Sequence, residues 1–226
     1  MQQKKLFIAI VGILVVAIGV WFLFSNKEAP SQNGAPELSD TIARVNGENI
    51  TRTELENSEA QIAAQQGIDT ASLDATAREQ LQAQALDGLI ANILIQQAVV
   101  NSGIIATEVA VDEQIALIKG QFSNDTQFQE ALVEQRLSEA DIRKQVRGEV
   151  ATQIYLEQTL NLSSITATDE EVNTLYKQEA AVTKDIPPLE DVRAQIESFI
   201  IQQKQLELLS AHVQELSINA DIEIFI

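Results

Sequence analysis

Apolar and polar positions divide the chain into three stretches: an unbroken apolar run, a polar segment without period, and a long region of helical spacing. The run Leu6 to Phe24, LFIAIVGILVVAIGVWFLF, holds nineteen residues and no charge. As a helix it would reach about 28 Å, close to the thickness of a bilayer's hydrocarbon core. A helix apolar on every side belongs in lipid or deep in a core, and its place near the start of the chain favours lipid. Lys4 and Lys5 precede it and only Lys27 follows closely. The positive-inside bias therefore puts residues 1–5 in the cytoplasm and everything after Phe24 outside. A secretory signal peptide would have a shorter apolar run and a small-x-small cleavage site, so residues 6–24 read as an uncleaved signal anchor. Residues 25–39, SNKEAPSQNGAPELS, carry two prolines and a glycine without periodicity, the pattern of a flexible linker.

From Asp40 the pattern is regular. Ile42 to Val45 predicts a short strand, Asn46-Gly47 a tight turn, and Glu48 to Ile50 the return. Thr51 and Glu54 form a capping box, followed by a helix with Leu55 and Ile62 on one face that ends near Gly67. A second helix is predicted from about Asp74 to Asn101, with Leu86, Ile90, Ile93, Gln97 and Val100 facing the core and Gly103 as its stop. Thr107 opens a third, carrying Val111, Ile115, Ile118 and Phe122. After the break at residues 123–126, a short fourth carries Phe128, Leu132 and Val133. Ser138 opens a fifth, Glu139 to about Leu160, with Ile142, Val146, Val150, Ile154 and Leu160 inward. Thr168 and Glu171 form a second capping box, starting a short sixth helix through Tyr176. Residues 180–188 read as a loop, with Pro188 suited to the first helical position. The last helix runs from Leu189 to about Ser217, its apolar residues at 189, 192, 196, 199, 206, 209, 213 and 216 in near-heptad spacing. The alternation Asp221-Ile-Glu-Ile-Phe-Ile226 predicts a strand, and Ile42 to Val45 is its nearest partner.

The expected fold is mostly α, with a long C-terminal helix and a small two-stranded β pairing of the ends of residues 40–226, preceded by one transmembrane helix. In this reading the last helix completes the core of the first five, and the third and fourth helices project as an arm.

Composition removes several function classes. The chain has 226 residues, with 15 Lys+Arg against 33 Asp+Glu, a net charge of −18. Nucleic acid is excluded as a partner, because phosphate binding needs clustered basic residues. There is no cysteine, which removes disulfides, thiolate metal sites and cysteine nucleophiles. The single histidine, His212, leaves no His-based metal cluster or triad. There is no calcium-loop pattern, and Asp169-Glu170-Glu171 sits at a helix start where negative charge offsets the helix dipole. The glycines are scattered singly, so no phosphate loop exists. No cofactor and no metal are expected.

The order of elements resembles the N-terminal domain of the SurA/PrsA/PpiD type of extracytoplasmic chaperones. Ile42 to Leu55, IARVNGENITRTEL, looks like that family's opening segment. Ala85 to Ala98, ALDGLIANILIQQA, looks like its core helix. Thr168 to Val172 and Pro188 to Arg193 resemble the helices that flank the family's parvulin-type prolyl isomerase domain. The similarity spans about residues 40–226. An isomerase domain takes on the order of 100 residues, whereas residues 177–187 supply eleven. The resemblance therefore implies a chaperone domain without the isomerase, and no enzyme activity.

What it implies is a membrane-anchored, ATP-independent holdase of the periplasm or an equivalent extracytoplasmic space, which binds unfolded segments of exported polypeptides. The peptide-binding candidates are Ile115, Ile118, Phe122, Phe128 and Leu132 on the third and fourth helices, where apolar surface is either ordinary core or an open cradle. The alternative is a non-catalytic envelope scaffold with one fixed partner, such as a translocase.

Overall fold

The computed structural model describes residues 40–183 and 186–226. The expected anchor, residues 6–24, and the expected linker, residues 25–39, lie outside the described residues. The described chain falls into two compact units, residues 40–103 with 211–226, and residues 104–210.

The first unit is built on a three-stranded antiparallel sheet. β1 (Thr41–Val45) turns through Asn46 and Gly47 into β2 (Glu48–Thr51). Both turn residues have positive φ, 50° and 87°, which asparagine and glycine tolerate best. Thr51 then caps α1 (Arg52–Gln66), with Glu54 reaching back to the Thr51 N–H at 2.7 Å. Gly67 ends α1 in the left-handed conformation, at φ 66°. Asp74 caps α2 (Ala75–Ser102), and Gly103 stops it at φ 70°. β3 (Ile222–Ile224) pairs with the other side of β1, giving the order β2-β1-β3. The expected two-stranded pairing of chain ends is thus one half of a sheet that the hairpin return strand completes.

Ile42, Ala43, Val45, Ile50 and Leu55 pack with Ala85, Leu86, Ile90 and Leu94 into one core cluster. Full burial of such a side chain contributes roughly 1.5–3 kcal/mol. Val213 and Leu216, from the C-terminal part of α7 (Leu189–Ile218), and Ile222 from β3 close that core at its rim. The face of α2 differs from the expected stripe. Val99 is buried while Val100 is 79% exposed. Gln97 is no core residue: its side-chain nitrogen donates to the Val45 carbonyl at 3.2 Å and to Glu48 at 3.1 Å, and its oxygen accepts from Asn46 at 2.7 Å. It pins the hairpin turn to α2.

Among the described residues, α2 is the helix long and apolar enough, by length and composition, to cross a membrane. Seven of its side chains are buried, and four of them, Ala85, Leu86, Ile90 and Leu94, lie in the core cluster of the sheet unit. A helix whose apolar face packs on a sheet passes the same length test for a different reason, and we read α2 as a core helix.

The second unit is helical: α3 (Glu108–Lys119), α4 (Asp125–Glu134), α5 (Glu139–Leu160), α6 (Asp169–Val182) and residues 189–210 of α7. Thr107, Asn124, Ser138 and Thr168 cap the first four of these, and Ser138 with Asp141 makes a further capping box. α6 runs past its expected end at Tyr176 to Val182, leaving residues 183–188 before α7.

Candidate peptide-binding surface

α3 and α5 pack together, burying Val111 and Ile118 on one and Ile142, Val146 and Val150 on the other. Ion pairs flank the seam: Arg143 reaches Glu108 at 3.2 Å and also Asp112, and Arg147 reaches Glu108 at 2.7 Å. These pairs hold the Glu108 carboxyl below its usual range, the Arg147 hydrogen bond being the largest cause. Phe128 and Leu132 of α4 are also buried. Lys119, at the end of α3, bridges Asp125 at 3.1 Å and Glu139 at 2.9 Å, tying together the ends of three helices. Its ammonium lies 4.9 Å from the centre of the Phe128 ring. Phe122 meets that ring edge to face, with centroids 5.5 Å apart.

The five candidate residues therefore divide. Ile118, Phe128 and Leu132 are at most 2% exposed and form packed interior. Ile115 and Phe122 are half-buried at the margin of the same cluster. Large apolar side chains other than the five candidates stand outside it: Leu117 is 65% exposed and Val109 67%, and Val133, expected with Phe128 and Leu132 on the apolar face of the fourth helix, is 75% exposed. Val133 follows buried Leu132 directly, and Leu117 precedes buried Ile118. Adjacent apolar residues on a helix point about 100° apart, so one of each pair turns outward. That doublet pattern was the available signal.

The α7 segment of this unit is attached by polar clasps as well as by half-buried Leu189, Val192, Ile196 and Leu209. Arg193 pairs with Asp169 at 2.7 Å. Lys204 pairs with Glu171 at 2.6 Å and donates to the Thr166 carbonyl at 2.9 Å. The Gln205 side chain donates to the Leu162 carbonyl at 3.3 Å. Glu171 also accepts from its capping partner Thr168, and with Lys204 as the main cause its carboxyl is pulled down to about 2. Ile200, absent from the expected seam, is the one buried residue of α7, whereas Phe199 and Leu206, which belong to it, are exposed. Elsewhere in the unit, burial pushes Glu149 on α5 up to about 7.

Among the described residues, no group of three or more His, Asp or Glu side chains could hold a metal ion. His212 lies on α7 with Nδ1 3.9 Å from Glu215.

A family model described as a SurA-like N-terminal domain matches residues 1–156. The match includes the apolar run and everything to within α5; α6, α7 and β3 follow it. No curated protein matches the chain.

Proposed function

We propose, from the premise that the chain belongs to the SurA-like N-terminal domain family, that it is a membrane-anchored, ATP-independent extracytoplasmic holdase for unfolded segments of exported polypeptides. The role of that family is chaperone-like, and the length between α6 and α7 leaves no room for an isomerase fold. The observation that carries the reading is the exposed apolar surface of residues 104–210, with Val109, Leu117 and Val133 standing outside a packed interior. In this reading Ile115 and Phe122 belong to the peptide-contacting surface, while Ile118, Phe128 and Leu132 are the floor that holds it in shape. Contacts of this kind are non-directional and tolerate many client sequences. Residues 6–24 hold the chain in the cytoplasmic membrane with the N-terminus inside. The net charge of −18 keeps client complexes soluble and away from anionic lipid.

The test is aggregation suppression. The purified full chain in detergent should keep unrelated denatured proteins in solution at stoichiometric amounts without nucleotide. Replacing Leu117, Phe122 and Val133 together by serine should weaken that activity severalfold while the helical circular dichroism is retained. Full activity in the triple variant would remove this surface from the reading. Inactivity of the wild-type chain, together with one tight envelope partner such as a translocase, would favour the scaffold instead.

A further inference from the structure

The last strand of the sheet carries a second binding feature. β3 is an edge: it pairs with β1, and among the described residues no strand lies on its other side. The Phe225 N–H donates to the Ile42 carbonyl at 2.8 Å, and the Asn46 N–H donates to the Asp221 carbonyl at 2.8 Å. In an antiparallel ladder the residues that bond one neighbour alternate with those that face away. Asp221, Glu223 and Phe225 therefore spend their backbone groups on β1, and Ile222 and Ile224 turn theirs outward. Beside this open row, Ile224 is 54% and Ile226 52% exposed.

Edges are normally protected by shortness, charge, proline or a bulge. β3 is short, three residues with Glu223 at its centre, and has no lysine, proline or bulge. The irregularity in the sheet lies between Thr41 and Ala43, in the β1–β2 pairing. On the face opposite Ile224 and Ile226, Arg44 is held by Glu223 at 3.0 Å and lies 5.6 Å from the Phe225 ring centre.

The geometry points to a strand-addition site: the outer edge of β3 receives an extended polypeptide segment that alternates apolar and basic residues. Backbone hydrogen bonds to Ile222 and Ile224 supply sequence-tolerant affinity, and apolar side chains lie beside Ile224 and Ile226. The choice of a basic segment follows from charge. Residues 40–103 and 211–226 hold twelve acidic side chains against three Lys or Arg. The same imbalance opposes a second copy of this chain, and an edge of three to five residues buries much less than the roughly 1,200 Å² of a stable interface. The occupant rests on the holdase reading; the edge does not.

The full chain in detergent is titrated with a dye-labelled peptide in which valine and lysine alternate, while amide hydrogen exchange is followed residue by residue. Binding should slow exchange of the Ile224 amide by about tenfold or more and leave the Arg44 amide, already within the sheet, unchanged. Ile224→Pro removes one outward donor without touching a β1 hydrogen bond, since proline is tolerated at an outward edge position. It should weaken peptide binding by about tenfold with the Arg44 amide still protected. Peptide binding without protection at Ile224, or no peptide binding, overturns the proposal whether or not the chain suppresses aggregation. Protection at Ile224 in a chain that suppresses no aggregation keeps the site and removes the holdase reading. If sedimentation shows self-association with Ile224 protected before peptide is added, a second copy fills the edge and the proposal falls.

Discussion

At the scale of single residues, the polar atoms divide into one that is wasted and several that are well used. Thr41 Oγ1 is buried and finds no hydrogen-bond partner among the described residues. Thr41→Val keeps the shape, suits a strand and removes the unsatisfied hydroxyl, so the variant should gain about 1 kcal/mol in urea unfolding. Two glutamates act with opposite signs on pH. Glu171 has its carboxyl lowered from 4.5 to about 2, so its stabilisation is complete above pH 4.5 and is lost as pH falls towards 2. Glu149 is raised from 4.5 to about 7, so its favourable protonated state is complete below pH 4.5 and is lost as pH rises towards 7. Glu171→Gln, which keeps the capping box, should flatten the acid side of a thermal-stability profile. Glu149→Gln should leave pH 4.5 unchanged and raise stability at pH 8 by on the order of 1 kcal/mol, discounted for the remaining solvent access of that side chain. Melting curves between pH 2 and 8 read both. Thr51, Glu54, Thr168 and Glu171 were legible as capping boxes because their chemistry is local; the Lys204 and Arg193 clasps, which join residues far apart in sequence, were not.

At the scale of elements, the sequence located helices more reliably than their faces. The fifth helix, Glu139–Leu160, falls where its periodicity predicts. In α2 the expected stripe, 86 to 100, steps by 3.5 residues, while the buried set from Leu81 to Val99 follows 3.6. Over two heptads that mismatch turns the stripe by about 40°, enough to exchange Val100 for Val99. α7 shows a larger departure. Its near-heptad seam is occupied where Val213 and Leu216 meet the sheet unit, and within residues 104–210 Leu189, Val192, Ile196 and Leu209 are half-buried, while Phe199 and Leu206 are exposed and Ile200, with the ion pairs of Arg193 and Lys204, takes up the contact between them. Ion pairs between elements are invisible to a hydrophobic period, so the spacing carried Phe199 and Leu206 into a seam that polar contacts share there. The expectation that α7 completes the core of five helices is thus narrowed to a rim contribution in the sheet unit. Leu216→Ala should destabilise that unit by about 1–2 kcal/mol, half of a typical fully buried loss. Leu206→Gln, on the exposed face, should cost under about 0.5 kcal/mol. Hydrogen exchange of β1 and α2 amides separates the two; equal effects would contradict the burial pattern.

At the scale of the whole molecule, the proposed anchored topology makes its own prediction. Protease added to spheroplasts should digest residues 40–226 and leave a short membrane-bound fragment; a protected or freely released domain would exclude a signal anchor with its N-terminus inside. The mostly helical fold and the final strand's partner were readable from period and alternation. The surface was not, because amphipathic spacing says which residues are apolar but not whether a neighbour covers them, as Ile118 beside Leu117 illustrates. The pairing of β1 with β3 also sets a schedule. Arg44 and Glu223 meet across a separation of 179 residues, so the sheet that opens the described fold closes with its last strand. A ribosome delivers residues 40–103 first, and they wait through the synthesis of the entire helical unit before the third strand exists. Loop closure of that length is slow, and unpaired strand edges are hazardous while they wait. During its own biogenesis the chain therefore spends a period as an incompletely folded polypeptide whose β1 edge stays open until Ile222–Ile224 arrives.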